Sequence, residues 1–478
     1  MNARENNRFP ERKMPRVFRL IGGRCGWGVL PLALLLVMGL RCVRQSGPLV
    51  NLSHLNALFQ IVRIGEEEMG IVRIYAEYPD YQPVAAPGEG IACVDDAARA
   101  ILVYLEDYER HGHLDSWQRV ELLVRFLLYM QSPDGTFYNF IWEDGSINRN
   151  GPTSVNRPDW WTWRAQWALA RALPQLRAKN VPLALQTEHA LELSFSIYKT
   201  VLAAYPDTVV YNGLVCPAYL PLETGADQAA VMLLALEQYL PQASPELRGH
   251  RVTQAEQLAR GILLMQTGDS LQFPYGAFRS WQNLWHAWGN SQSHALLSLG
   301  YALQKENWVR HALLEVRYFY PYLLEEQFLH ALQFRAGVSG IQIMRREAFP
   351  QIAYDIRPMV MASLMAYRIT GQAAYARQAG QLAAWLFGNN PARAIMYDAR
   401  TGRCFDGLYW DAATIKGAES EAGSLRINRN AGAESTIEAL MILQAIERNP
   451  IAWAEMHRFR RQLKKVPRPS NEKTSHLK

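Results

Sequence analysis

Cysteine pairs, phosphate-binding glycine loops and metal-binding motifs are all missing from this 478-residue sequence. Its five cysteines, Cys25, Cys42, Cys93, Cys216 and Cys404, show no Cys-x-x-Cys or Cys/His spacing. Neither a disulfide framework nor a zinc site is therefore predicted. The chain also lacks a Walker-type loop and a serine nucleophile elbow, which removes two large classes of enzyme. We expect no metal site and no organic cofactor.

Basic charge is confined to the two ends of the chain. Of the formal net charge of +6, residues 1–47 and 458–478 contribute +7 each, so the intervening 410 residues carry −8. A nucleic-acid-binding protein needs a basic face on its folded body. The distribution therefore predicts no nucleic-acid partner.

Residues 1–47 carry the pattern of an export signal. A basic stretch through Arg24 precedes the apolar run 26–40, which Pro31 interrupts. The run is short for a spanning helix, which needs about 20 apolar residues. We expect an exported protein, periplasmic or extracellular, with this segment either removed or left as an inner-membrane anchor with its basic end in the cytoplasm. Residues 467–478 are predicted to be a disordered polar tail, which leaves 48–466 as the folded domain.

Apolar positions at three-four spacing predict six pairs of helices. The pairs are 93–110 with 116–131, 160–173 with 184–203, 226–240 with 250–266, 286–303 with 306–320, 357–369 with 372–388, and 434–447 with 451–465. The first helix of each pair is rich in small and apolar residues and the second carries more charge, as expected for an inner and an outer ring. The connections between pairs are long, and such loops are usually functional.

Six helical hairpins in a closed ring make an all-α (α/α)6 toroid with the long loops on one face. The inner helices would then begin at one cavity. Residues 332–354 alternate like strands around Gly337 and Gly340, which predicts a small β-hairpin insertion.

Most of the predicted inner helices begin at an acidic residue. The entry points are Asp95-Asp96, Asp159, Asp227, Trp285-His286, Asp355 and Glu434. Acids at helix N-termini also cap free N–H groups and stabilise the helix dipole, so each has a structural explanation as well. Trp160, Trp161 and Trp285 lie near loop ends, where an indole can stack on a sugar ring or pack in the core.

Several short segments carry a resemblance to a known superfamily. They are 88–100 (GEGIACVDDAARA), 132–137 (SPDGTF), 159–165 (DWWTWRA), 388–391 (GNNP), 398–407 and 430–436 (NAGAEST). Together they resemble the six-hairpin glycosidase superfamily over about residues 85–450. Within it they are similar to a bacterial group related distantly to the family-nine glycoside hydrolases.

The resemblance implies catalytic roles by position. Family-nine enzymes hold their base in an early aspartate pair and their acid on a late glutamate, which here correspond to Asp95, Asp96 and Glu434. The two aspartates are adjacent rather than spaced, and Glu419 and Glu421 are alternatives to Glu434. Glycoside hydrolysis needs one protonated carboxyl near the leaving oxygen and one ionised carboxylate.

The sequence therefore predicts a hydrolase that acts on an oligo- or polysaccharide. Asp159, Glu223, Asp227, Asp355, His286 and Asn430 are expected to bind sugar hydroxyls, and Trp160, Trp161 and Trp285 to stack on the rings. A polysaccharide lyase on the same fold and a non-catalytic glycan-binding envelope protein remain alternatives. A sugar epimerase is less favoured, because it would need paired histidines.

Overall fold

The computed structural model describes residues 48–328, 331–338, 340–410 and 425–463. The predicted export segment 1–47 and the polar tail 467–478 lie outside these residues, so both remain predictions. Glu419 and Glu421 lie outside them as well. Among the described residues, none of the helices combines the length and hydropathy that crossing a bilayer requires.

Fourteen α-helices lie within the described residues. They are α1 Ser53–Leu58, α2 Val94–His111, α3 Leu114–Met130, α4 Trp160–Lys179, α5 Val181–Ser196, α6 Tyr198–Val201, α7 Ala226–Tyr239, α8 Pro245–Leu264, α9 Gln292–Ala302, α10 Glu306–Glu325, α11 Ala353–Thr370, α12 Ala373–Ala383, α13 Ala433–Glu447 and α14 Pro450–Leu463. Twelve of them form the six predicted hairpins, and α1 and α6 are short additions.

Local sequence signals set several of the helix ends. The turn after α2 is made by Gly112, whose φ of 71° is left-handed and suits glycine. Gly371 ends α11 in the same way, with φ 69°. At the other end, Ser244 caps α8 by accepting from the Leu247 N–H, and Pro245 occupies the first turn.

The inner helices close into a ring. Successive members α2, α4, α7, α9, α11 and α13 pack against one another, and α13 packs back against α2. Each inner helix also packs against the helix that follows it in its hairpin, and α3, α5, α8, α10, α12 and α14 form the outer layer. The predicted all-α (α/α)6 toroid is confirmed.

One predicted helix start is wrong. The fourth inner helix was expected to begin at residue 286, but α9 begins at Gln292. The residues before it, Leu284–His286, form a short strand that pairs with residues 331–333. Cross-strand hydrogen bonds therefore replace the helix at this position.

The strands are short, and all their pairings are antiparallel. They are β1 Phe59–Ile64, β2 Glu67–Val72, β3 Tyr75–Glu77, β4 Gln82–Val84, β5 Ala92–Cys93, β6 Phe140–Ile141, β7 Thr208–Tyr211, β8 Leu214–Pro217, β9 Gln266–Thr267, β10 Ala277–Phe278, β11 Leu284–His286, β12 Ala331–Gly337, β13 Gly340–Glu347, β14 Tyr397–Asp398, β15 Arg403–Cys404, β16 Gly407–Trp410 and β17 Leu425–Asn428. β12 and β13 form the predicted hairpin, and β11 adds a third strand beside β12.

Between the two rings lies a continuous apolar core that includes the fully buried Trp163, Tyr198 and Trp385. The core also contains a carboxyl, that of Glu315, which forms no ion pair with the described residues. Glu315 on α10 is fully buried and accepts from the Phe278 N–H at 2.8 Å and the Ser293 hydroxyl at 2.5 Å. Burial raises the pKa of Glu315 to about 7, because the ionised form has lost its water.

The raised pKa of Glu315 makes stability depend on pH. Its folded pKa lies above the unfolded value, so its contribution to the free energy of unfolding is lost as the pH rises through about 7. We expect Glu315→Gln to flatten the pH dependence by about 1 kcal/mol between roughly pH 6 and pH 8. Chemical denaturation at several pH values measures this.

A matched control is Glu325→Gln, because Glu325 lies on the same helix and is exposed. That variant should keep the parent slope. An unchanged slope in Glu315→Gln would mean that Glu315 does not take up the proton.

Candidate functional site

A cavity of about 1160 Å³ opens where the inner helices begin. Its wall combines six carboxyl side chains with a set of aromatic rings. The acids are Glu89, Asp95, Asp96, Asp227, Asp406 and Glu434, and the aromatic residues are Tyr75, Phe140, Trp160, Trp161, Trp281, Trp288, Tyr354 and Tyr409. Four of the acids predicted at helix starts, Asp95, Asp96, Asp227 and Glu434, are among these lining residues.

At this cavity Arg99 joins α2, the first inner helix, to α13, the last inner helix. Arg99 lies one turn after Asp96 on α2, and its Nη2 donates to Asp96 Oδ1 at 2.8 Å. Its Nη1 donates to Glu434 Oε2 on α13 at 2.9 Å. Two hydrogen bonds and the width of one guanidinium separate these carboxylate oxygens, which therefore lie at most about 8 Å apart.

Arg99 also forms an ion pair with Glu438, which lies deeper in the protein than Glu434. Glu438 lies one turn after Glu434 on α13 and is fully buried. Its Oε1 accepts from Arg99 Nη1 at 3.0 Å, and its Oε2 accepts from Arg357 Nε on α11. Three inner helices are thus tied together by charge at the base of the cavity.

Asp95 forms a separate ion pair, with Arg164 on the neighbouring inner helix α4. Arg164 Nη1 on α4 lies 2.7 Å from Asp95 Oδ1, and Arg164 Nη2 donates to the Tyr354 hydroxyl at 2.6 Å. Arg164 also lies over the Trp160 ring, 5.0 Å from its centroid. Adjacent residues on a helix point about 100° apart, so Asp95 and Asp96 reach different arginines.

The cluster has one negative charge more than it has positive charges. Among the described residues, Asp95, Asp96, Glu434 and Glu438 form ion pairs with three arginines, Arg99, Arg164 and Arg357. Burial raises the pKa of Asp96 to about 6, although Arg99 opposes the rise. The negative charges of Glu434 and Asp95 add to it. A proton can therefore be held in this cluster at mildly acidic pH.

Across the cavity, Asp227 pairs with a histidine. Its Oδ2 lies 3.5 Å from His286 Nε2, and its Oδ1 accepts from the Gln228 N–H at 2.7 Å. Burial raises the pKa of Asp227 to about 7 and lowers that of His286 to about 4. Near neutral pH Asp227 is therefore partly protonated and can donate as well as accept, while His286 is neutral.

The aromatic wall differs in part from the predicted one. Trp160 and Trp161 both line the cavity. Trp160 is half-buried, and Trp161 is buried and donates from its indole N–H to the Phe137 carbonyl at 2.6 Å. Trp281 and Trp288, which were not selected from the sequence, also line the cavity. Their indole N–H groups donate to Leu222 O and Pro350 O, which fixes both rings.

Trp285 is placed differently from the prediction. It lies in β11 and is 1% exposed, with its ring 5.0 Å from that of Phe319 in the core. It is not among the described residues that line the cavity. The side-chain alternation of a strand turns Trp285 inwards and His286 towards the cavity.

Asp159 and Asp355, which were predicted to bind substrate, instead accept backbone N–H groups at the starts of their own helices. Asp159 Oδ1 accepts from the Trp160 N–H at 2.8 Å at the start of α4, and Arg157 donates to its other oxygen at 2.7 Å. Asp355 Oδ2 accepts from the Ile352 N–H at 3.0 Å, and burial raises its pKa well above the ordinary value. Both lie behind the cavity wall and not among the described lining residues.

Glu223 and Asn430 also lie outside the described lining residues. Glu223 is exposed and accepts from the Tyr211 hydroxyl at 2.5 Å. Asn430 accepts from the Tyr78 N–H at 3.0 Å, while Asn428 lines the cavity two residues earlier.

Sequence reasoning missed the arginines of the site. Arg99, Arg164 and Arg357 were not selected from the sequence, and in the structure Arg164 pairs with Asp95 and Arg357 with Glu438. A helical signal was present, because Arg99 follows Asp96 by three residues and Glu438 follows Glu434 by four. Asp406 was also missed, and it accepts from the Gly432 N–H at 2.7 Å just before α13.

Comparisons with known proteins support the fold. No protein-family profile and no curated protein sequence matches the chain. Among solved structures, a D-mannose isomerase matches with TM-score 0.54 and 13% identity over 83% of this chain and 95% of the isomerase. A sugar epimerase from a ruminal bacterium gives TM-score 0.53 and 12% identity over 82% of this chain and 95% of the epimerase.

An alpha-1,6-mannanase from Salegentibacter matches with TM-score 0.43 and 9% identity over 79% of this chain and 93% of the mannanase. The isomerase and the epimerase, whose TM-scores exceed 0.5, share the fold of this chain. These matches support the predicted (α/α)6 toroid.

The buried position of Glu438 leads to a stability prediction. Glu438→Gln keeps the size of the side chain but removes the charge that Arg99 and Arg357 share. Breaking a buried ion pair leaves an uncompensated charge, so we expect a loss of about 3 kcal/mol in the free energy of unfolding. Denaturant unfolding followed by circular dichroism measures it.

The matched control is Glu188→Gln, which breaks a surface pair with Arg177. It should cost less than about 1 kcal/mol. Equal losses in the two variants would show that burial does not set the strength of the Glu438 contacts.

Proposed function

We propose that the protein is a glycoside hydrolase that acts on an oligo- or polysaccharide by carboxylate general acid/base catalysis. The observation that carries this proposal is the meeting of Asp95, Asp96 and Glu434 around paired arginines in one aromatic-lined cavity. The exported or membrane-anchored location predicted from residues 1–47 fits such a substrate.

Glu434 is the proposed general acid, because its side chain is 40% exposed and can reach the leaving oxygen. Asp95 is the proposed base or nucleophile. Its carboxylate is positioned in the cavity wall by the contact with Arg164, and a carboxylate is the group that attack or water activation requires. Trp160, Trp281 and Trp288 would stack on the apolar faces of the sugar rings.

Asp96 is proposed to regulate the proton on Glu434. The two carboxyls share Arg99, and one guanidinium cannot neutralise both. In the proposed reaction Glu434, the more exposed of the two carboxyls, transfers the proton to the leaving oxygen. Asp227 and His286 would bind sugar hydroxyls on the opposite wall.

The described lining residues favour hydrolysis over two other sugar reactions. They include one histidine, His286, whereas the epimerase alternative needs a histidine pair. They include two arginines, Arg99 and Arg164, and both are held by carboxylates. A lyase would need such cations to neutralise a uronate. An unsaturated product that absorbs in the ultraviolet would contradict hydrolysis.

The acid assignment is tested by substitution. We expect Glu434→Gln and Asp95→Asn each to lower kcat by about 10² or more, because each removes one half of the acid/base pair. Release of reducing ends from a panel of glycans is the measurement. Glu192→Gln on the outer helix α5, where Glu192 is exposed, should retain parent activity.

Full activity in Glu434→Gln would remove Glu434 from the role of acid. Glycan binding without product from the parent protein, across the whole panel, would favour the non-catalytic binding protein instead.

The shared arginine gives a pH prediction. The pKa of Asp96 is raised to about 6, so the proton needed by the acid is lost as the pH rises through that value, and kcat/KM should fall above it. Asp96→Asn removes this titrating carboxyl, so the fall of kcat/KM above about pH 6 should no longer be seen. An alkaline limb unchanged from that of the parent would contradict the proposed role of Asp96.

A further inference from the structure

A second group of ionisable side chains lies at the turn between α2 and α3. Asp107 is buried near the end of α2, and His111 follows it by four residues, one helical turn away. Gly112 then reverses the chain with its left-handed φ, which brings His113 back over the same carboxylate. Asp107 lies twelve residues after Asp95 on one helix, about 18 Å from the cavity.

Both imidazoles direct the same atom at this carboxylate. His111 Nδ1 lies 3.1 Å from Asp107 Oδ1, and His113 Nδ1 lies 2.9 Å from Oδ2. One potential ligand atom from each of Asp107, His111 and His113 lies within 4.8 Å of the other two. The two rings are stacked, with centroids 5.2 Å apart.

The carboxylate is held in place from the following helix. The Ser116 hydroxyl on α3 donates to Asp107 Oδ2 at 2.5 Å. Ser116 thus supplies the outer hydrogen bond that orients a ligating carboxylate.

We propose that Asp107, His111 and His113 form a binding site for one divalent transition-metal ion, of which Zn²⁺ is the test case. Two imidazole nitrogens and one carboxylate oxygen suit Zn²⁺, Co²⁺, Ni²⁺ or Cu²⁺. The ion would take the place of the Nδ1 protons, and each imidazole would keep a proton on Nε2. Because the rings are 42% and 60% exposed, water can complete the coordination.

Such an ion would join the end of α2 to the start of α3. It would restrain the first hairpin at the end of the toroid opposite the cavity. The site is independent of the proposed hydrolase activity, and Glu434→Gln should bind metal as the parent does.

The test uses the full chain without an affinity tag, treated with a chelator and then titrated with ZnCl2 in a calorimeter at about pH 7.5. We expect one equivalent to bind and the melting temperature to rise with added Zn²⁺. His113→Gln should weaken binding by about tenfold or more, because it removes one of three ligands.

His250→Gln is the matched control, since His250 is an exposed histidine on α8. It should bind Zn²⁺ with parent affinity. The Zn²⁺ affinity of Asp107→Asn is compared with that of the parent when the circular dichroism spectra of the two proteins match. The side chain of His113 is exposed, so its replacement leaves the core intact. No uptake of Zn²⁺, or equal uptake by the parent, His111→Gln and His113→Gln, would overturn the proposal.

Discussion

The guanidinium of Arg99 is the contact on which the site depends. It joins the first inner helix to the last, because it binds Asp96 on α2 and both Glu434 and Glu438 on α13. Removing so many charges from water is costly, and the cost is offset only when every partner is present. Ring closure and the charge cluster therefore require each other. Packing brings α2 and α13 together, and Arg99 fixes which of their side chains meet.

The acids at the helix starts divide into two groups by what they contact. Asp159 and Asp355 accept backbone N–H groups and thereby complete their own helices. Asp95, Asp96 and Glu434 contact arginine side chains instead and line the cavity. Asp227 combines both roles, because it accepts the Gln228 N–H and also lines the cavity. The same feature of the sequence thus supports the scaffold at some positions and provides the chemistry at others.

The charge cluster is buried at its base and exposed to the cavity at Glu434. Arg99 and Glu438 are almost fully buried, whereas Glu434, one turn above Glu438, keeps two-fifths of its side chain exposed. Buried partners on three helices hold the base of the cluster in one arrangement. A site that is pre-organised in this way spends little binding energy on ordering its own groups.

The sequence by itself determined the six hairpins, because helical periodicity and turn glycines such as Gly112 are local properties. It also identified Asp95, Asp96, Asp227, Trp160 and Glu434 at the helix starts that line the cavity. Tertiary structure alone decided that Arg164 pairs with Asp95 and that Trp285 is buried. Ion-pair partners depend on the rotation of each helix within the ring. Burial depends on which face a strand presents, and neither is encoded within a single turn of chain.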